Sequence, residues 1–349
     1  MTETLNRSRR ELLCRAAALS AALSAAQSAS LTAAGLGATS LARAQTAAPA
    51  SSSPLRILCT APGGTVPDIV ARRYAEQLSA RYPGGVIVDN RAGAAGRIAV
   101  AALKQAAPDG NTWLLAQGAV ATVYPHLYDK LAYDPVADLR PVSMASEALL
   151  GLAVGPAVAD SVVTLEQLVD WLRSHPAQAS YGSPGVGTLP HLMVALLANE
   201  ARLDLTHVPY AAGPAALVDL MSGRLSVLAL PEGLLRPLQA AGKLRVLATS
   251  GAARSSFLPG VASVAEQGYP KLVMREWFAF FMPAGATAVA LEAASQTIRQ
   301  AALQPPLRAA LGESGMLAVS SSPAELAQRI AAEQPYWRAV LSATGIRAE

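Results

Sequence analysis

Two loops of this 349-residue chain bring together residue types that hold an anion without a charged side chain. The first is Ala61-Pro62-Gly63-Gly64-Thr65-Val66-Pro67-Asp68, between a strand-like run and a helical pattern. Glycines let backbone N–H groups approach a ligand closely, and the start of a helix adds unpaired donors and the positive end of its dipole. Asp68 or Thr65 is the N-cap here, and for Asp68 a capping role is favoured over ligand contact. The second loop is Tyr181-Gly182-Ser183-Pro184-Gly185-Val186-Gly187-Thr188-Leu189-Pro190-His191, with Thr188 as N-cap and Pro190 in the first helical turn. Ser183, Thr188 and the N–H groups between them form a second anion cradle.

Other chemistries lack their residues. The first loop has no Gly-Lys-Ser/Thr ending, which disfavours ATP or GTP. Gly185-x-Gly187 is half of a dinucleotide fingerprint, but Pro190 takes the place of its third glycine. Ser183 has Tyr181 where a nucleophile elbow has a glycine, two residues before the serine. The four histidines, His126, His175, His191 and His207, show no metal-ligand spacing, and no cofactor or metal is expected. A hydrolase or isomerase using Asp68 or His191 as a base is the competing class, and it needs an acid–base pair that the spacing does not supply.

The elements that must position these loops alternate along the chain. Strands are predicted over 55–60, 86–89, 112–116, 149–154, 179–182, 206–209, 225–230, 244–249 and 277–282. Helices are predicted over 69–81, 95–106, 165–174, 190–199, 215–222, 288–303 and 323–343. That alternation is the signature of βαβ units, and ligands of open α/β sheets sit beyond the carboxyl ends of the strands. Trp113 and Trp171 read as core residues, and Trp277 as a candidate for the wall of a cleft.

Residues 1–44 read as an export signal. Arg9-Arg10 precedes a mildly apolar stretch, and Ala42-Arg43-Ala44 supplies a small-x-small cleavage pattern. The paired arginines favour the twin-arginine route into the periplasm. Residues 45–53 read as a flexible arm. The chain carries a net charge of +4. The leader holds Arg7, Arg9, Arg10, Arg15 and Arg43 against Glu3 and Glu11. Taking these five from 28 basic and these two from 24 acidic residues leaves 23 against 22. A body so nearly neutral argues against nucleic acid as the partner, and no run beyond the leader has the length and apolarity of a membrane span. Without the leader, Cys59 is the one cysteine, so no internal disulfide is possible.

From Pro54 onward the chain resembles the Bug-type receptors, the extracytoplasmic solute-binding proteins of tripartite tricarboxylate transporters. The matching stretches are Ala61-Pro62-Gly63-Gly64 with Asp68-Ile69-Val70-Ala71-Arg72, Asp89-Asn90-Arg91-Ala92-Gly93-Ala94-Ala95-Gly96, and Ala107-Pro108-Asp109-Gly110. Leu131-Ala132-Tyr133-Asp134-Pro135, Tyr181-Gly182-Ser183, His207-Val208-Pro209-Tyr210, Ala241-Gly242-Lys243-Leu244-Arg245 and Met282-Pro283-Ala284-Gly285 follow in order.

The resemblance implies an α/β, two-lobed periplasmic-binding-protein (Venus flytrap) architecture, each lobe a mostly parallel sheet flanked by helices. Lobe 1 would comprise 54–152 and 278–349, lobe 2 residues 153–277, with crossovers near 151–155 and 275–280. It implies a non-enzymatic, monomeric receptor that carries a small carboxylate to transporter membrane subunits; a signalling partner is the alternative. The implied ligand-binding positions are Gly63, Gly64, Thr65, Asp68, Gln117, Gly118, Ser183, Gly187, Thr188, Tyr210 and Gly213.

Three departures from the family pattern bear on the ligand. Three residues rather than two separate Gly63-Gly64 from Asp68. Gln117-Gly118-Ala119-Val120 stands where hydroxyl residues are usual, and Leu230 where an aspartate is common. All remove polar groups, which points to a less polar or larger acid such as an aromatic monocarboxylate.

Overall fold

The computed structural model describes residues 53–348. The leader, and all but the last residue of the arm, lie outside them. The chain first lays down β1 (Leu55–Cys59), α1 (Val66–Leu78), β2 (Val86–Asn90), α2 (Arg97–Lys104) and β3 (Thr112–Gln117). Three short helices follow: α3 (Ala119–Thr122), α4 (Tyr124–Leu127) and α5 (Pro135–Asp138). Then come β4 (Leu139–Ala148), β5 (Leu150–Val154), α6 (Leu165–Ser174), β6 (Ser180–Ser183) and α7 (Leu189–Ala201). The order continues with β7 (Thr206–Pro209), α8 (Gly213–Met221), β8 (Val227–Pro231), α9 (Glu232–Ala240) and β9 (Arg245–Thr249). The chain closes with β10 (Glu276–Pro283), α10 (Ala288–Ala302), α11 (Pro305–Glu313), β11 (Leu317–Ala318) and α12 (Pro323–Thr344).

Among the described residues the strands form two sheets, in the orders β11-β4-β10-β3-β1-β2 and β7-β6-β8-β5-β9. In each, most strands run one way, β1–β4 in the first and β6–β9 in the second, with β10 and β11 opposed in the first and β5 in the second. β1 runs parallel to β2 and β3, and β6 parallel to β7 and β8. The long strands β4 and β10 and the strand β5 add antiparallel ladders. The reason is connectivity: β4 and β5 are separated by Leu149 alone yet belong to different sheets, and β10 brings the chain back to the first sheet. On entering the second sheet as β5, and on returning to the first as β10, the chain runs against the direction of the βαβ units there.

The apolar patterning explains the burial. β5 (LGLAV) and β10 (EWFAFFMP) are buried at every position, as expected of strands covered on both faces. One apolar cluster faces the first sheet with α1, α10 and α11, and another lies against the second sheet with α8 and α9. The largest contains residues of both sheets together with Tyr124, Leu127, Leu192 and Leu197. Cys59 is buried in β1, and that burial pushes its thiol up to about 11, the state of an inert core residue. No helix among the described residues is long and apolar enough to cross a membrane.

Candidate functional site

The carboxyl ends of the six strands that pair in parallel deliver residues to one cavity of about 390 Å³. The first sheet contributes Thr60–Pro62 and Thr65–Pro67 after β1, Ala92–Gly96 after β2, and Gln117 at the end of β3. The second contributes Gly185 and Thr188 after β6, Tyr210–Pro214 after β7, and Leu230 and Pro231 at the end of β8. Glu276 and Phe278 of β10 complete the wall. This is the location expected of a ligand site in open α/β sheets.

Five helices begin at this wall: α1 after Thr65, α2 after Gly96, α7 after Thr188, α8 after Ala212 and α9 after Pro231. None has a side chain capping its first turn. Both threonines turn their hydroxyls instead onto their own loops, Thr65 to the Pro62 carbonyl at 2.6 Å and Thr188 to the Gly185 carbonyl at 2.8 Å. Of the helices that begin elsewhere, four are sealed, by Thr164, Thr287, Ser322 and Asp134, while α3 after Gly118, α4 after Val123 and α11 after Gln304 carry no side-chain cap. Unsealed helix starts leave backbone donors and positive dipole ends for an anion. None of the described residues lining the cavity is Lys, Arg or His.

Residues 70–346 match the profile of the tripartite tricarboxylate transporter family receptor. The chain belongs to that family. It is similar to Protein BugT of Bordetella pertussis, with 30% identity over 317 residues that span 88% of this chain and 96% of BugT. A solved periplasmic transporter superposes with a TM-score of 0.79 at 26% identity, over 85% of this chain and 99% of that one. The R. palustris protein Rpa4515, solved with adipate, gives 0.79 at 26% identity over 84% and 98%. The two-sheet α/β architecture of the receptor is the one these structures share.

Of the residues singled out in the sequence, Thr65, Gln117, Thr188, Tyr210 and Gly213 stand on the cavity wall of the receptor, and Gly63, Gly64, Asp68, Gly118, Ser183 and Gly187 do not. The second group supports the first. Asp68 is not the N-cap but lies in the first turn of α1, accepting hydrogen bonds from the Gly64 N–H at 2.8 Å, Arg72 at 2.9 Å and Asn90 at 2.8 Å. Burial works to raise its carboxyl, but these donors outweigh it and hold the group below the usual carboxylate range. Ser183 is fully buried, donating to the Gly185 carbonyl at 3.0 Å and bonded to His207 Nε2 at 2.8 Å. A Cβ at Gly118 would lie 2.1 Å from the Trp277 ring, and one at Gly187 would lie 2.1 Å from Leu127. Trp277 is itself core, its indole N–H donating to Glu333, rather than cleft wall.

Neither candidate base is free to act. Asp68 is held ionised by its donors, and His191 Nδ1 accepts from the Gly187 N–H at 3.2 Å. Burial, with His207 beside it, pushes His191 down to about 3, and burial pushes His207 down to about 4.

Two parts of the wall escaped the sequence reading. The 93–96 loop is held by Gln117, whose amide donates to the Ala95 carbonyl at 2.8 Å, and by Tyr124, whose hydroxyl donates to the same oxygen at 2.9 Å. Glu276 is the other. Its place at the head of an apolar strand was its sequence signal, an acid where the following seven residues are all apolar.

Proposed function

We propose that the receptor captures a small organic acid in this cavity for delivery to the membrane subunits of a tripartite transporter, without transforming it. The observation that carries this reading is the convergence of five unsealed helix starts on an apolar cavity lined by no basic side chain. Such a site neutralises a carboxylate with backbone N–H groups and dipoles. Rpa4515, a structural relative, was solved with adipate. The rest of the wall is mostly Ala, Pro, Leu, Val and Phe278, which supports an acid with an apolar body, such as an aromatic or medium-chain acid. Export through the twin-arginine leader of residues 1–44 would put the receptor in the periplasm. There lobe 2 (residues 153–277) would close against lobe 1 as a monomer.

The test is a thermal-shift screen of purified receptor, refolded to strip carried-over ligand, against aliphatic and aromatic mono-, di- and tricarboxylates. A ligand at a hundredfold its Kd adds about 2.7 kcal/mol, and at roughly 2–4 °C per kcal/mol this raises Tm by several degrees. One class of acid is expected to give that shift and to be recovered unchanged after long incubation. A folded protein that responds to no carboxylate, or that converts the acid, would overturn the reading.

A further inference from the structure

The polar side chains on the cavity wall have, with one exception, already spent their hydrogens. Thr60 donates to Gln117 Oε1 at 2.8 Å, Thr65 to Pro62, Thr188 to Gly185, Tyr210 to Asp219 at 2.8 Å, and Gln117 to the Ala95 carbonyl. The exception is Glu276. It is 5% exposed, lines the cavity, and its Oε1 is buried without a hydrogen-bond partner. A carboxyl buried in an anion site must either repel the ligand or meet it with a hydrogen.

We propose that Glu276 stands in the cleft as a neutral carboxylic acid that donates its hydrogen to the ligand's carboxylate, so that the acid is captured together with one proton. This rests on the reading of the cavity as an organic-acid site.

The surroundings of Glu276 favour the neutral form. Across the ladder from β10 lies Ala148 of β4, and Phe278 pairs with Gln117 of β3, neither carrying charge. From α12, Glu333 adds a like charge, while Arg329 is already engaged by Glu333 and Glu147. Tyr124 of α4 is neutral, its phenol pushed above its ordinary range by burial. Burial first and Glu333 second push Glu276 up to about 8. A bound carboxylate is a further like charge at that carboxyl, so it raises the group again and ties its own affinity to the proton. An ammonium ligand would do the reverse, binding the ionised carboxylate, but five positive helix ends oppose a cation there.

The experiment is titration calorimetry of the receptor and of Glu276→Gln with the acid giving the largest thermal shift, from pH 6 to 10, in buffers of differing ionisation enthalpy. Wild type is expected to take up close to one proton per ligand above pH 8, with affinity falling about tenfold per pH unit there. Glu276→Gln keeps an amide donor of similar shape. It is expected to bind within severalfold of wild type at pH 7, with flat affinity and no proton uptake across the range. Binding that is flat with pH in wild type, or that falls equally in both proteins, sinks the proposal while leaving the organic-acid reading intact. So does affinity that rises with pH and is lost in Glu276→Gln, which would assign Glu276 to a cationic group. Absence of binding by any acid to either protein at any pH would instead remove the cavity's reading as an acid site, and the proposal with it.

Discussion

Ala94 and Ala95 have φ of 47° and 53°, and the glycines on either side are also in the positive region. A side chain in the left-handed region costs about 1 kcal/mol. Here the conformation is enforced by Gln117 and Tyr124, which both grip the Ala95 carbonyl. Ala95→Gly should therefore stabilise the receptor by about 0.5–1 kcal/mol in urea unfolding. A loss of stability would mean that the Ala95 methyl, which faces Gly185 across the cleft, contributes more than the backbone strain costs. The same scale shows where sequence reading stops. Gly, Pro and Thr between a strand and a helix mark the loops, but residue type does not reveal which atoms face outward. Asp68 is a ligand position only by the resemblance and Ser183 by its hydroxyl in the second loop, yet both spend their oxygens on neighbours, Asp68 on Gly64 and Arg72, Ser183 on Gly185 and His207. Glu276 falls one residue before the strand predicted over 277–282, so the strand pattern attached no role to it.

At the scale of elements the helices divide by what their N-termini do. Ser322 seals α12 in a capping box with Glu325, far from the cavity, whereas the Thr188 hydroxyl leaves the first turn of α7 open. Ser322→Ala should cost about 1 kcal/mol of stability and leave ligand affinity unchanged. Thr188→Ala should cost less stability and weaken binding severalfold, because what it frees is the Gly185 carbonyl of the cavity loop. Urea unfolding and calorimetry on the two variants separate these outcomes; equal effects on affinity would remove the distinction between sealed and open helices. Elements with clean periodicity were legible, α6 and β7 at their observed bounds. β4, α9 and α11 were not. Pro141 interrupts β4, which is a strand because β10 pairs along its length. α9 contains Gly233 and Pro237, two helix breakers, and forms where Leu235 packs into the core.

Across the whole molecule the loops of the two sheets also touch beside the cavity, off its wall. The Tyr128 hydroxyl donates to the Val186 carbonyl at 3.1 Å, and a Cβ at Gly187 would strike Leu127. Tyr128 follows α4 beside the first sheet, and Val186 belongs to the loop after β6 in the second. If the receptor opens to admit its ligand, this bond exists in the closed form alone, and its free energy belongs to the closing equilibrium rather than to the stability of either half. A ligand shifts such an equilibrium only by its preference for the closed form, so any contact that favours closure also raises apparent affinity. Tyr128→Phe removes the bond but keeps the ring that lies under Arg97. A hydrogen bond contributes about 0.5–1.5 kcal/mol net, so the variant should bind its acid roughly 2- to 12-fold more weakly. Its solution scattering without ligand should shift toward the more extended form, while the scattering of the saturated protein matches wild type. Affinity and scattering both indistinguishable from wild type would mean that the halves stay together whether or not the cavity is filled, and that the ligand enters through loop motion instead of lobe rotation.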